Sequence, residues 1–124
     1  MSVKNISLVW ITVSDIAKAK NFFVNTLGMK LHQDSPEHGW VEVMGEDGGT
    51  SLGITQAIPE ESAEKPGTNA IITLTVEDVV KAKTELTSKG VNFIGDIIEI
   101  PGHVKMIMFA DADGNKFQLV QLLG

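Results

Sequence analysis

The sequence predicts an α+β chain built from two tandem βαβββ modules. Three observations carry this reading. "TVSDIAKAK" at residues 12–20 recurs as "TVEDVVKAK" at 75–83, identical at six of nine positions and 63 residues further on. An apolar, β-branched segment precedes each copy, "ISLVWITV" from Ile6 and "NAIITLTV" from Asn69. Behind each copy the apolar period shortens from helical to two, as expected of strands.

Each element has its own signal. The first strand of each module ends at the repeat, where Asp15 and Asp78 stand as helix N-caps able to accept from the first free amides. Ile16, Ala19, Phe23 and Leu27 form one helical stripe, and Val79, Ala82 and Leu86 repeat its first three positions. Gly28 and Gly90 stop the helices, because glycine tolerates the left-handed conformation there. Three strands follow in each module: "MKLHQD", "GWVEVMG" and "GTSLGITQ", then "VNFIGDIIEI", "HVKMIMFA" and "NKFQLVQLL". Glu46-Asp47-Gly48-Gly49 and Asp113-Gly114-Asn115 supply turns between them. The expected single domain 1–124 thus divides into module one at 1–58, a Pro- and Glu-rich linker at 59–66 and module two at 67–124.

Composition narrows the function. The apolar fraction of 43% and charged fraction of 21% are those of a globular chain. Net charge is −6 and all ten basic residues are lysines, so no arginine fork or clustered basic face is offered to nucleic acid. No apolar run reaches membrane-spanning length and no signal sequence opens the chain, so the expected location is cytoplasmic, with no membrane partner. The Asn5-Ile6-Ser7 glycosylation match is then a chance one. With no cysteine and no tyrosine there is neither a thiolate nucleophile nor a phenolic acid. Phosphate-cradling and dinucleotide motifs are also missing from the sequence.

Strand alternation sorts the side chains by face. Val9, Ile11 and Val13 belong with the helix, leaving Leu8, Trp10 and Thr12 on an open face. Ser51, Gly53 and Thr55 join them, and in module two Ile71, Thr73 and Thr75 stand with Lys116, Gln118 and Val120. Two such faces curled toward each other would enclose a cleft.

The pairing of V-x-D before each helix, L-G at the end of the first, and the late "DADGNKFQL" strand resembles the vicinal oxygen chelate superfamily over nearly the whole chain. That group includes glyoxalase I, bleomycin-resistance proteins, fosfomycin-resistance enzymes, methylmalonyl-CoA epimerase and extradiol dioxygenases. The resemblance implies pseudo-twofold symmetry between the modules and a binding cleft formed by their sheets. Ala112 replaces the proline usual in D-P-D-G-N. The same fragment lacks the further ligands of a calcium loop.

Metal-dependent members hold a divalent ion with four residues, two from each module. At the matching positions this chain has Leu8, Gly53, Ile71 and Gln118. Three of these carry no donor atom, so the resemblance does not extend to the metal and no cofactor is expected. His32, His38 and His103 read as exposed turn histidines, although a displaced metal site using them or Glu42 stays open. Glu42 is a general base if it points into the cleft and a solvated strand residue otherwise. Gln118 needs a hydrogen-bond partner among apolar neighbours, with a ligand or water as candidate.

The resemblance is nearest to the bleomycin-resistance branch, whose members sequester drugs without a metal and act as dimers. It implies a metal-independent homodimer binding a small molecule, which the residues at the cleft make partly apolar and the net charge of −6 makes neutral or cationic. The lining would be Leu8, Trp10, Gly53, Ile71 and Gln118, with Met106 and Met108 if their strand turns them inward. Two other readings fit the same residues: a glyoxalase-like lyase or isomerase with a displaced metal or metal-free chemistry, and a non-catalytic dimeric scaffold. No residue fixes whether the chain is an enzyme.

Overall fold

In the computed structural model, residues 1–2, 4, 6–58 and 65–124 are described. Asn5, and with it the glycosylation match, lies outside them, as do residues 59–64 of the expected linker. The chain divides into two compact units, 1–66 and 67–124.

Module one runs β1 (Leu8–Val13), α1 (Ile16–Asn21), β2 (Lys30–Ser35), β3 (Trp40–Gly45) and β4 (Gly48–Gln56). Its sheet order is β1-β4-β3-β2, with β1 parallel to β4 and the other pairs antiparallel. Module two repeats this as β5 (Ile72–Thr75), α2 (Val79–Ser88), β6 (Asn92–Ile100), β7 (Val104–Ala110) and β8 (Lys116–Leu122), in the order β5-β8-β7-β6. Again the first strand lies parallel to the last. The predicted α+β, two-module βαβββ architecture is the observed one.

Each helix starts as its cap residue dictates. Asp15, at φ −141° and ψ 99°, accepts from the Lys18 amide at 3.1 Å. Asp78, at φ −142° and ψ 106°, accepts from Val80 and Lys81 at 3.1 Å each. Such a cap contributes about 0.5–2 kcal/mol. Gly28 and Gly90 follow the helical segments with φ 72° and 88°, a region that costs a side-chain-bearing residue strain.

α1 departs from the expected single α-helix. It ends at Asn21 and continues as a wider π-type turn over Phe22–Thr26, in which the Leu27 amide reaches Phe22 O at 2.9 Å. One extra residue in a turn rotates those beyond it by roughly 100°, the step of one α-helical residue. Phe23 is wholly buried, while Ile16, Ala19 and Leu27 are half-buried.

The helix side of each sheet is the core. In module one Phe23 shares it with Ile11, Val13, Val41, Val43, Leu52 and Ile54, all buried. In module two Val79 and Leu86 of α2 face the same interior as Ile107, Phe109, Phe117 and Leu119. Phe109 and Phe117 stack with centroids 5.2 Å apart, and Phe93 meets Phe109 edge-on at 6.0 Å. Burying each large side chain contributes about 1.5–3 kcal/mol, which sets the facing of β1, β3, β4, β7 and β8.

The turn before β8 is a side-chain hydrogen-bond knot. Asp111 Oδ1 accepts from the amides of Asp113 and Asn115, and Oδ2 from Asn115 Nδ2, all at 2.9 Å. Asn115 Oδ1 in turn accepts from the Gly67 amide at 2.9 Å. The Asp111 carboxylate therefore spends both its oxygens within its own turn. Desolvation raises the Asp111 carboxyl above its ordinary value, against the opposing pull of these hydrogen bonds.

Candidate functional site on the exposed sheet faces

Registry fixes what stands beside what. In module one the rows across β1, β4, β3 and β2 read Thr12–Thr55–Trp40–Ser35 and Trp10–Gly53–Glu42–Gln33. Leu8 lies in the next row, opposite Ser51. Leu8 and Trp10 are 40% and 50% exposed and Ile11 and Val13 on the helix side are buried, in line with the predicted alternation, but Thr12, expected on the open face, is buried at 4%. The structure brings Leu8, Trp10 and Gly53 onto one face.

It also brings two residues that were not singled out for binding in this way. Trp40 lies across Gly53: a Cβ placed on Gly53 would stand 2.3 Å from its Cη2 and 2.5 Å from its Cζ2. From the other flank the Trp10 Cβ stands 3.1 Å from the same point. Trp40 Nε1 donates to Glu42 Oε2 at 2.9 Å, so Glu42 is not the lone solvated strand residue of one expectation. The signal was in "GWVEVMG". Once Val41 and Val43 are assigned to the core, alternation puts Trp40 and Glu42 on the open side.

In module two Gln118 lies opposite Thr73 on β5 and Met108 on β7, with Met106 opposite the neighbouring Val120. Met106 and Met108 therefore share the face of Gln118, while Ile107 and Phe109 point to the core. Ile71 precedes β5 by one residue, in step with Thr73, and is exposed. The partner expected for Gln118 from a ligand or water is supplied internally. Thr73 Oγ1 donates to Gln118 Oε1 at 3.2 Å, and Gln118 Nε2 reaches Met106 Sδ at 3.3 Å. That distance suits a soft sulfur acceptor.

The histidines are dispersed. His38 and His103 are exposed at turns, but His32 sits in β2, at a register break between Leu31 and Gln33, not in a turn. The strand continues past it because Asp34 and Ser35 still pair with Val41 and Trp40. Among the described residues, no three His, Asp or Glu side chains are grouped to hold a metal. Among them, too, no helix is long and apolar enough to cross a membrane.

The model of the Glyoxalase/Bleomycin resistance protein/Dioxygenase superfamily matches residues 5–119. The chain belongs to this superfamily. Among solved structures, TnmS3, an antibiotic binding protein from Streptomyces sp. CB03234, is 33% identical with a TM-score of 0.81, covering 98% of both chains. A glyoxalase/bleomycin resistance protein from the same organism is 34% identical with a TM-score of 0.79, covering 94% of this chain and all of its own. Protein YetH of Bacillus subtilis (strain 168) is 29% identical over 120 residues, 94% of this chain and 98% of its own length.

The metal that the resemblance brings with it does not fit these residues. Leu8, Gly53 and Ile71 present no lone pairs, and both ends of the Gln118 amide are engaged within module two. Above Gly53, the space a ligating side chain would need is taken by the Trp40 ring.

Proposed function

We propose that this superfamily member binds a small, partly apolar, neutral or cationic molecule on its exposed sheet faces, independently of a metal, and acts as a homodimer of the drug-sequestering type. The observation that carries the reading is the replacement of donor atoms by an aromatic surface: Trp40 roofs Gly53, and Trp10 flanks it. Tryptophan supplies a large rigid contact area together with one polar N–H. Leu8 adds apolar surface on module one, and Ile71, Met106 and Met108 do so on the face of module two, where methionine adapts to ligand shape. The net charge of −6 disfavours anionic ligands. Similarity at 33% identity to an antibiotic binding protein supports the same reading.

The test is a titration with a panel of aromatic antibiotics, following intrinsic tryptophan fluorescence in the wild type, Trp10→Phe and Trp40→Phe. Saturable quenching, with affinity falling about tenfold in at least one variant, is expected. No saturable change with any compound, in protein that is folded by circular dichroism, overturns the proposal and leaves the scaffold reading in its place.

A further inference from the structure

One group on module one has no role in the fold described so far. Glu42 is half-buried on a sheet face beside two tryptophans, and its Oε2 accepts the Trp40 indole N–H at 2.9 Å. No lysine is paired with it, and Oε1 has no hydrogen bond among the described residues. By register, His32 sits at the bulge next to Gln33, the partner of Glu42, and the nearest lysine is Lys30, opposite Met44. Oε1 is thus an acceptor left for a ligand at the edge of the rings.

The rings have a matching peculiarity. Trp40 and Trp10 stand on the strands flanking β4, and both converge on Gly53. Even the smallest side chain at 53 would drive into the Trp40 ring, at 2.3 Å from Cη2. Gly53 therefore lets the indole settle onto the sheet. Its N–H then points to Glu42, fixing the carboxylate in turn.

We infer that Gly53, Trp40 and Glu42, with Trp10, form a recognition subsite for a planar aromatic ligand bearing a cationic edge. This rests on the small-molecule reading above and narrows it to one ligand class and one module. The rings provide a stacking surface with the π-face preference for cations. The Glu42 carboxylate provides a charge-assisted acceptor at its margin. Gly53 acts as a specificity-determining residue by permitting the arrangement, without touching the ligand itself.

Two flat dyes of similar size separate charge from shape: proflavine, which is cationic, and anthraquinone-2-sulfonate, which is anionic. Isothermal calorimetry at neutral pH on the full chain is expected to show preference for proflavine. Glu42→Gln keeps the size and the acceptor for Trp40, so it preserves the fold. It should weaken proflavine about tenfold while leaving the sulfonate unchanged or tighter. Trp40→Phe should weaken both. An unchanged preference in Glu42→Gln, with either dye still bound, overturns the subsite but not small-molecule binding. Binding of neither dye also overturns the subsite, while the antibiotic panel decides the broader reading on its own.

Discussion

Gln121 at the end of β8 accepts the Val79 amide N–H through Oε1 at 2.9 Å, closing the first turn of α2 from outside the helix. Its counterpart Gln56, at the end of β4, accepts from Ile16 at 2.9 Å in the same way. Gln56 Nε2 donates onward to Ser14 O at 2.7 Å. Each helix thus has two capping acceptors, an aspartate from its own start and a glutamine from the module's last strand. The free amides of a helix N-terminus need such partners, and here they also stitch strand to helix.

Removing either glutamine therefore weakens its module. Gln121→Ala and Gln56→Ala are each expected to lower stability by about 1 kcal/mol, read as a shift of the urea midpoint at constant slope. Gln121→Glu, which keeps an acceptor, should lose less. Stability unchanged in both alanine variants would remove the glutamines from the capping scheme.

Gly53 and Trp40 should behave as a coupled pair. Gly53→Ala is expected to cost about 1–3 kcal/mol by overpacking and to shift the tryptophan emission. In a double-mutant cycle with Trp40→Leu, the alanine should cost much less, because the ring it strikes is gone. Additive losses would show that the ring does not rest on Gly53.

Asp111 links stability to pH in a fixed direction. Its folded-state value is raised from 3.8, so its contribution is fully present below that pH. It is lost as pH rises through the folded value. Carboxyl chemical shifts should place the Asp111 midpoint above 3.8, and Asp111→Asn should flatten the stability slope in that window. A midpoint at or below 3.8 would mean that the hydrogen bonds from Asp113 and Asn115 outweigh burial.

Chelation provides a separate check on the ligand chemistry. Because Leu8, Gly53 and Ile71 carry no donor side chain, the proposed metal-independent binding predicts that dialysis against EDTA leaves antibiotic and dye affinities unchanged. Binding that vanishes on chelation and returns with manganese or zinc would redirect attention to His32, His38, His103 and Glu42.

Assembly is measurable by light scattering. Ile94 and Ile98 on the edge strand β6 are 47% and 60% exposed, an apolar surface of the kind a second copy covers. The expected mass is twice the 13.4 kDa of the chain. A monomer across micromolar concentrations would count against the homodimer.

The architecture was legible because the duplication states it twice. Asp15 and Asp78 mark equivalent junctions, and alternation in β1 separates Ile11 and Val13 from Leu8 and Trp10 without ambiguity. Less was legible where two elements meet. Gln56 and Gln121 could be aligned with each other, but nothing local says that either side chain reaches a helix amide about 40 residues away in sequence. The Trp40–Gly53–Glu42 cluster was half-readable. Periodicity supplies the face of Trp40, but its fall onto Gly53 depends on the β3–β4 register, which pairs Glu42 with Gly53. The wide turn after Asn21 left no pattern, because Phe22–Thr26 reads as ordinary helix.

The register breaks in the outermost strands carry a further consequence. β2 loses step at His32, and β6 loses step between Ile94 and Ile98, where Gly95 has φ 74°. Both strands carry an unpaired edge, so each could otherwise template the addition of foreign chain and seed fibrils. A bulge bends the strand and interrupts its row of outward amides and carbonyls. The two modules thus interrupt the same edge independently, which hinders strand-to-strand addition beside the exposed isoleucines of β6.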